Sequence, residues 1–341
     1  MHPRHLVVTL VLLLLAAPFV MTIPSAEELE DEQDINSGRS TSNALLWGAQ
    51  AGGSSSTDAI MGIAMDAQGR TYVCGYFYNT ATFGSITLNS YGSTDIFVGR
   101  LSNGNWDWVQ RAGSTSSDQC QDIAVDDGGN ISITGYFYNT ATFGTTQLSS
   151  QGSYDIFVAR LDADGNWLWA TRAGSGSQDY GYGVAVDEQG NSYITGTYYS
   201  TTYFGAYTLS AYSYDEAFIA ALNPSGQFIW AKRMYGSYYQ RGRDIDVNQN
   251  GDVVVTGEFS YRINIGGTEL VPSYSSSSYY RIFVAMFDTS GNYQWAQMAG
   301  YLQSSRSSYG EAVAVADNGD VAVAARFQYL VDFHTNGNNR I

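Results

Sequence analysis

The chain has 341 residues, a formal net charge of −16 and a single lysine, Lys232, and only 14% of its residues are charged. A chain this acidic repels polyanions, which argues against nucleic acid as a partner. A folded chain of this length buries roughly three quarters of its unfolded surface, so its core needs neither a metal nor a disulfide framework.

The first 26 residues have the pattern of an export signal. Arg4 belongs to a short basic segment, residues 6–23 are almost all apolar, and Ala26 is a small residue suited to cleavage. Pro24 occupies a position where a small residue is expected, so an uncleaved membrane anchor is an alternative. Both interpretations predict an extracellular or cell-surface protein. It would contact the membrane only through this segment, and only if the segment is not cleaved.

A change of composition follows the apolar segment. Residues 27–43 are first acidic and then small and polar, which predicts a disordered linker. The remaining residues, 44–341, are expected to form one repeat domain.

The domain is built from tandem copies of one unit. A tryptophan recurs three times at intervals of 61 residues and once more after 65, at Trp47, Trp108, Trp169, Trp230 and Trp295. A glycine follows almost the same period, at Gly75, Gly135, Gly196 and Gly257. A fixed period of this length is typical of a supersecondary unit whose copies stack on one another.

Each copy contains four short segments rich in β-branched and aromatic residues. In the second copy these are residues 122–126, 132–137, 155–161 and 166–172. Glycine-containing turns such as Asp162-Ala163-Asp164-Gly165 separate segments of this kind, which predicts antiparallel hairpins. Four antiparallel strands in a repeat of about 61 residues predict an all-β fold, a β-propeller built from four-stranded blades.

One segment also resembles a known family. The sequence AVDEQGNSYITG, residues 185–196, is similar to the signature of the bacterial and archaeal SBBP β-propeller repeat. The resemblance extends over the copies from Trp47 onward. It implies a propeller and an exported or cell-surface protein, and it implies no catalytic residues.

The number of copies leaves two arrangements open. Residues 45–51 match only the fourth strand, four copies follow, and a fifth copy has its first two strands. The chain is therefore either a five-bladed ring with an incomplete closing blade or part of a larger propeller or open array. The second arrangement is favoured because an unpaired strand edge is a liability.

Two further features of the repeats predict side-chain contacts. Acidic and basic residues change together from copy to copy, as in Asp155 with Arg172, which indicates cross-strand ion pairs. The two cysteines, Cys74 and Cys120, align with Thr134 and Ile60 in other copies. These are ordinary strand positions, so two buried free thiols are expected rather than a disulfide.

No residues predict a catalytic or metal site. His334 is the one histidine beyond the N-terminal segment, so a Ser-His-Asp site or a histidine-based zinc site is not expected. The loop 161–166 resembles a calcium loop slightly, but it lacks the distal acids and is interpreted as a hairpin turn. The sequence therefore predicts no catalytic residue, no metal and no cofactor.

The long loops carry the signal for binding. Connections between the second and third strands and between successive copies emerge on one face and are rich in Tyr and Ser. Such residues supply amphipathic contact area at low entropic cost. The candidate binding residues are those that break the repeat there: Tyr238, Tyr239, Arg241, Arg243 and Tyr279.

Three functions are consistent with this pattern. The first is a non-enzymatic exported module that binds an extracellular protein or glycan through the long-loop face. The second is an extracellular carbohydrate-active enzyme with an acidic channel site, for which Asp215 and Glu258 are the acids that break the repeat. The third is a structural spacer without a ligand.

Overall fold

The computed structural model describes residues 13–14, 48–54, 58–211, 214–272, 276–300 and 306–327, and every regular element in these residues is a β-strand. The predicted signal peptide and linker lie outside the described residues apart from Leu13 and Leu14. Across those ranges the structure contains no helix that could cross a membrane.

The strands follow the sequence repeat. Two strands precede the first full copy: β1 (Leu13–Leu14) and β2 (Gln50–Gly53). Copy 1 contains β3 (Ala59–Met65), β4 (Thr71–Phe83), β5 (Ile86–Ser102) and β6 (Asn105–Gly113). Copy 2 contains β7 (Gln119–Val125), β8 (Ile131–Phe137), β9 (Thr140–Phe143), β10 (Thr146–Ser149), β11 (Asp155–Leu161) and β12 (Trp167–Gly174).

The later copies repeat this order. Copy 3 contains β13 (Tyr180–Val186), β14 (Ser192–Tyr198), β15 (Thr201–Phe204), β16 (Tyr207–Ser210), β17 (Glu216–Leu222) and β18 (Phe228–Ser237). Copy 4 contains β19 (Gln240–Val247), β20 (Asp252–Ser260), β21 (Arg262–Ile265), β22 (Thr268–Leu270), β23 (Tyr280–Asp288) and β24 (Tyr293–Ala299). Copy 5 contributes β25 (Ser308–Val315) and β26 (Val321–Phe327).

In each of copies 1–4 the four strands that the sequence predicted pair antiparallel, in the orders β3–β4–β5–β6, β7–β8–β11–β12, β13–β14–β17–β18 and β19–β20–β23–β24. The additional hairpin of copies 2–4 leaves its own copy. Its first strand pairs with the last strand of the preceding copy, in the pairs β6–β9, β12–β15 and β18–β21. Each hairpin therefore ties two neighbouring copies together at their outer edge, which the sequence pattern did not predict.

The first strands of successive copies pack side by side in the order β3, β7, β13, β19 and β25. The four-stranded sheets thus succeed one another around a common side, as in a propeller. Among the described residues no sheet joins copy 5 back to copy 1. The number of blades in a closed ring stays a prediction.

The repeated tryptophan forms a second tie between copies. Its indole N–H donates to a backbone carbonyl in the last hairpin turn of the next copy, from Trp108 to Ala163 (3.2 Å), from Trp169 to Pro224 (2.9 Å) and from Trp230 to Thr289 (2.8 Å). The turn glycines have positive φ, and a Cβ there would lie 2.6–2.8 Å from the indole, at Gly165, Gly226 and Gly291. The contact between the indole and this turn therefore explains both the regular spacing of the tryptophans and the glycine in each turn.

Two of the predicted ion pairs are present, with a different register. Arg172 and Asp155 lie 2.6 Å apart, and Arg111 and Asp95 lie 4.0 Å apart. A bulge at Arg160 shifts the pairing, so that Arg172 lies opposite Phe157 and its ion pair with Asp155 is diagonal. The sequence prediction placed residues opposite each other when they were equally far from the turn, and such a count does not include a bulge.

Cys74 and Cys120 form a disulfide, so the expectation of two free thiols is wrong. The bond joins β4 of copy 1 to β7 of copy 2, and both residues are fully buried. Later copies have a threonine and a glycine at this contact. There a Cβ on the glycine would come within 2.5 Å of the threonine hydroxyl, in the pairs Thr134–Gly181, Thr195–Gly242 and Thr256–Gly310. The two cysteines replace both members of this pair.

The occurrence of two cysteines where other copies have threonine and glycine suggests a matched pair of variants. Replacing the disulfide by the residues of the other copies, Cys74→Thr with Cys120→Gly, should keep the fold. It should lower the free energy of unfolding by about 4 kcal/mol, because the bond closes a loop between residues 46 positions apart. Chemical denaturation measures this value.

The reciprocal variant, Thr134→Cys with Gly181→Cys, places cysteines at the equivalent positions of copies 2 and 3. It should form a second disulfide and raise the free energy of unfolding by a similar amount. If the Cys74→Thr, Cys120→Gly chain is as stable as the unchanged protein, the disulfide is not a stabilising tie between copies.

Candidate functional site

Every first strand carries a β-bulge at the same position. The additional residue of the bulge differs in each copy: Met61, Gln121, Tyr182, Arg243 and Glu311. A bulge redirects one side chain and often lies beside a functional site. These five residues are called the bulge ring below. Their backbone conformation recurs in every copy, but the type of side chain differs each time.

Three ion pairs lie at the bulge ring, and two of them include its residues Arg243 and Glu311. Arg241 donates from Nε and Nη2 to Asp215 (3.0 and 2.8 Å). Arg243 donates to both oxygens of Glu258, with a shortest distance of 2.6 Å. In copy 5, Arg326 lies 3.1 Å from Glu311. Positive and negative charges are thus matched at this site, although the whole chain is strongly acidic.

The pairing changes how Asp215 and Glu258 are interpreted. Both acids are buried, and both accept hydrogen bonds from a guanidinium group. A glycoside hydrolase requires two carboxyl groups that are available to the substrate and to water. Asp215 and Glu258 are instead occupied by arginines, so the acids chosen for the enzyme hypothesis do not form such a pair.

The same contacts fix the charge of the arginines. Burial lowers the pKa of Arg241 and Arg243, but the hydrogen bonds and charges of Asp215 and Glu258 outweigh this effect and raise both pKa values above the ordinary range. Both guanidinium groups therefore stay protonated. Arg243 also lies over the ring of Tyr182, 5.0 Å from its centroid, which is a cation–π contact.

Tyrosines extend the site outward from the bulge ring. Six of them contact one another in a row, with successive ring centroids 5.3–6.4 Å apart: Tyr309, Tyr280, Tyr239, Tyr214, Tyr238 and Tyr261. These six residues are called the tyrosine track. The three at its outer end, Tyr214, Tyr238 and Tyr261, are 37–39% exposed.

Two tyrosines of the track have unusual backbone conformations. The φ angles of Tyr238 and Tyr261 are 66° and 69°, in the left-handed region that bulky residues rarely adopt. The position of Tyr261 is held by Asn79, Asn139 and Ser200 in copies 1–3, also with positive φ. A tyrosine is a poor choice for this conformation, which costs of order 1–3 kcal/mol and is most often retained at functional sites.

A second group of tyrosines lies between copies 2 and 3. Tyr136, Tyr154 and Tyr180 contact one another, and Tyr180 stacks on Tyr182 of the bulge ring with an interplanar angle of 10°. Burial and the neighbouring Tyr182 raise the pKa of Tyr180 to about 12. Its hydroxyl is therefore neutral and remains a hydrogen-bond donor, here to Gln178 (3.0 Å).

The predicted candidates are only partly brought together. Tyr238 and Tyr239 both contact Tyr214, and Arg241 lies 5.6 Å from the ring of Tyr239. Arg243 belongs to the neighbouring bulge ring, and Tyr279 is half-buried at the end of the loop before β23. Sequence reasoning missed Tyr214, Tyr261, Tyr280 and Tyr309. An alignment of each loop position across all copies would have singled out Tyr261, because it replaces Asn and Ser.

A cavity of about 270 Å³ lies between the first strands of copies 2–5. Its acidic residues are engaged by backbone N–H groups. Asp122 accepts from Ile123 and Val184 (both 2.8 Å), and Asp244 accepts from Ile245 (2.9 Å) and Val313 (2.7 Å). These carboxyl groups therefore link the first strands of different copies, and no cluster among the described residues could hold a metal ion.

Several buried carboxyl groups resist ionisation. Burial, with the nearby charge of Asp244, raises the pKa of Asp122 to about 8. Burial also raises the pKa of Asp95 to about 7, with a contribution from Asp118, and the pKa values of Asp118 and Asp179 to about 6. All four lie at contacts between strands or copies.

Comparison with known proteins identifies the repeat. Residues 168–197 match the family model described as SBBP, a β-propeller repeat, which confirms the resemblance predicted from residues 185–196. A stretch of 240 residues is 22% identical to an uncharacterized WD repeat-containing protein of Acanthamoeba polyphaga mimivirus. That match covers 60% of this chain and 17% of the viral protein, so the chain spans less than a fifth of the relative's length.

Two solved structures show a distant likeness. A protein of unknown function from Bacteroides caccae is 15% identical with a TM-score of 0.36, and the match covers 67% of this chain and 61% of that one. A gluconolactonase from Xanthomonas campestris is 13% identical with a TM-score of 0.37, over 81% of this chain and 73% of that one. At these TM-scores neither structure bears on the activity of this protein.

The raised carboxyl pKa values predict that stability falls as the pH rises. An aspartate has a pKa near 3.9 when unfolded, so between that value and pH 6–8 the folded chain binds more protons. Stability present at pH 5 should be lost as these groups ionise. The free energy of unfolding should drop by at least about 1.4 kcal/mol, one pKa unit, from pH 5 to pH 9.

Denaturation at a series of pH values measures this slope, and Asp179→Asn provides the control. An asparagine amide can still bond Ser175, whose hydroxyl now donates to Asp179 (2.8 Å), while the backbone N–H of Tyr199 keeps its acceptor. The variant should flatten the slope near pH 6. A stability that increases steadily from pH 5 to pH 9 would contradict the assignment.

Proposed function

We propose that this β-propeller repeat protein is an exported, non-enzymatic module that binds an extracellular ligand through its long-loop face. The observation that carries the proposal is the contrast within the repeat. The contacts between copies recur with the same residue types, such as the tryptophan and the turn glycine. In contrast, the bulge ring has five different side chains at five equivalent positions. Structural requirements repeat with the fold, so non-repeating chemistry gathered at one place favours recognition.

The composition of the face supports binding rather than catalysis. Tyrosine provides contact area with few rotatable bonds, and arginine is enriched among residues that dominate binding energy. Asp215 and Glu258 are held by Arg241 and Arg243, which favours a rigid, polar and charge-balanced surface. The export signal predicted at residues 1–26 supports a location outside the cytoplasm.

We further infer that the copies are blades of one propeller, each of four strands and about 61 residues. The support is the succession of first strands, β3 to β25, and three contacts that recur between neighbouring copies. These are the additional hairpin, the tryptophan hydrogen bond and the threonine–glycine contact. A propeller presents all of its long loops on one face, so residues of copies 2–5 can contact the same ligand.

Thermal unfolding with a ligand panel tests the function. The panel contains neutral and acidic oligosaccharides, a proline-rich peptide and an acidic peptide. A ligand that binds only the folded chain stabilises it by about 2.7 kcal/mol at 100 times its Kd, so the unfolding midpoint should rise. Product analysis of the same mixtures should show no cleavage of the ligand.

A paired variant locates the binding. Arg243→Met together with Glu258→Leu removes both charges, so no unpaired ion is left buried and the fold should survive. It should abolish the rise in midpoint. Cleavage of any oligosaccharide by the unchanged protein, or a rise that the double variant retains, would contradict the proposal.

A further inference from the structure

The tyrosine track has the form of an extended binding surface. Its six rings follow one another from the bulge ring to the outer end of copy 4 without a gap larger than 6.4 Å between centroids. The inner three, Tyr239, Tyr280 and Tyr309, are half-buried, and the outer three are exposed. A ligand that contacts all of them must therefore extend over several ring-sized units.

The charges beside the track indicate a neutral ligand. Four arginines beside the track are each paired with an acid, in the pairs Arg241–Asp215, Arg243–Glu258, Arg262–Glu269 and Arg326–Glu311. An acidic ligand would have to break these pairs and would also be repelled by the net charge of −16. A basic ligand would meet no unpaired acid in this set. The pairs nevertheless supply donors and acceptors for hydroxyl groups.

The spacing of the rings separates two kinds of long, neutral ligand. A polyproline II peptide presents the same face only once in three residues, roughly every 9 Å. The ring centroids are 5.3–6.4 Å apart, which does not match that repeat. An extended chain of pyranose rings can place apolar sugar faces on the exposed tyrosines and direct its hydroxyl groups to the ion pairs.

The backbone gives an independent reason to assign a role to the outer end. Tyr238 and Tyr261 both hold positive φ angles, and their rings contact each other 5.9 Å apart. Asn79 and Asn139 show that the fold is satisfied by asparagine at the position of Tyr261. The fold therefore does not require a tyrosine at position 261, and a role in binding would explain why this strained residue is kept.

We propose that the tyrosine track binds a neutral, extended glycan, one sugar ring on each exposed tyrosine. The proposal rests on the proposed binding function and names its ligand class. The bulge ring forms one end of the site, and Tyr214, Tyr238 and Tyr261 form the other.

Titration of the full chain with four probes of equal length tests the proposal. The probes are hexasaccharides of β-1,4-glucose, β-1,4-mannose and α-1,4-glucose, and hexagalacturonate as the acidic counterpart. A proline-rich peptide is titrated as well. At least one neutral hexasaccharide should bind, with an affinity at least tenfold higher than that of hexagalacturonate.

Variants at the outer end then locate the glycan. Tyr214→Ala and Tyr261→Asn should each weaken binding of the neutral hexasaccharide about tenfold, the second without loss of fold because asparagine holds the equivalent position elsewhere. Tyr203→Ala is the matched control, because Tyr203 is 49% exposed but lies in β15, outside the track. The control variant should bind like the unchanged protein.

The other outcomes are distinguishable. Neutral glycan binding that both track variants leave unchanged would overturn the track as its site, while the binding function would stand. Binding of hexagalacturonate or of the proline-rich peptide alone would overturn the ligand class and leave the function. Failure of every probe, together with failure of the wider panel, would overturn the binding function itself.

Discussion

The close contact between the second strand of one copy and the first strand of the next is the constraint on which the structure depends. At this contact a threonine hydroxyl occupies the space that a Cβ would need on the neighbouring glycine, as in Thr134 with Gly181. Between copies 1 and 2 the same space holds the disulfide. While the threonine is present, no larger residue could replace the glycine without displacing the threonine or the strands, so the copies are held at one distance.

Two other ties act further out along the same boundary. The indole of the repeated tryptophan binds the turn of the next copy, and the additional hairpin extends the sheet of the preceding one. Together the three ties fix each copy relative to its neighbour. Because the copies are then equivalent in position, the bulges of their first strands also lie at equivalent positions. The bulge ring and its variable side chains are thus a consequence of the repeated packing.

The sequence was sufficient for features that depend on local pattern. Strand positions, hairpin turns and the antiparallel order within a copy follow from alternation, glycine placement and the period of Trp108 and its equivalents. Tyr238, Arg241 and Arg243 were recognised because they break the repeat. The disulfide, the pairing of Arg243 with Glu258 and the pairing of β9 with the preceding copy were not recognised. Each of these depends on how strands of different elements approach one another, which no local pattern encodes.

The acidic character of the chain has a structural explanation in the described residues. Asp187 and its equivalents accept backbone hydrogen bonds in hairpin turns, Asp122 and Asp244 link first strands of different copies, and Asp215 and Glu258 neutralise arginines. These acids are thus engaged by the fold and by ion pairs. What remains at the long-loop face is a neutral surface of aromatic rings and paired charges, and this surface is the basis of the proposed function.

The central claim is that copy 4 retains strained tyrosines for recognition and not for stability. The free energy of unfolding of the Tyr261→Asn variant tests it most directly, because asparagine occupies the same left-handed position in copies 1 and 2. Relief of the strain should raise the free energy of unfolding by about 1 kcal/mol. A variant that is less stable than the unchanged protein would show that Tyr261 serves packing, and would contradict the account.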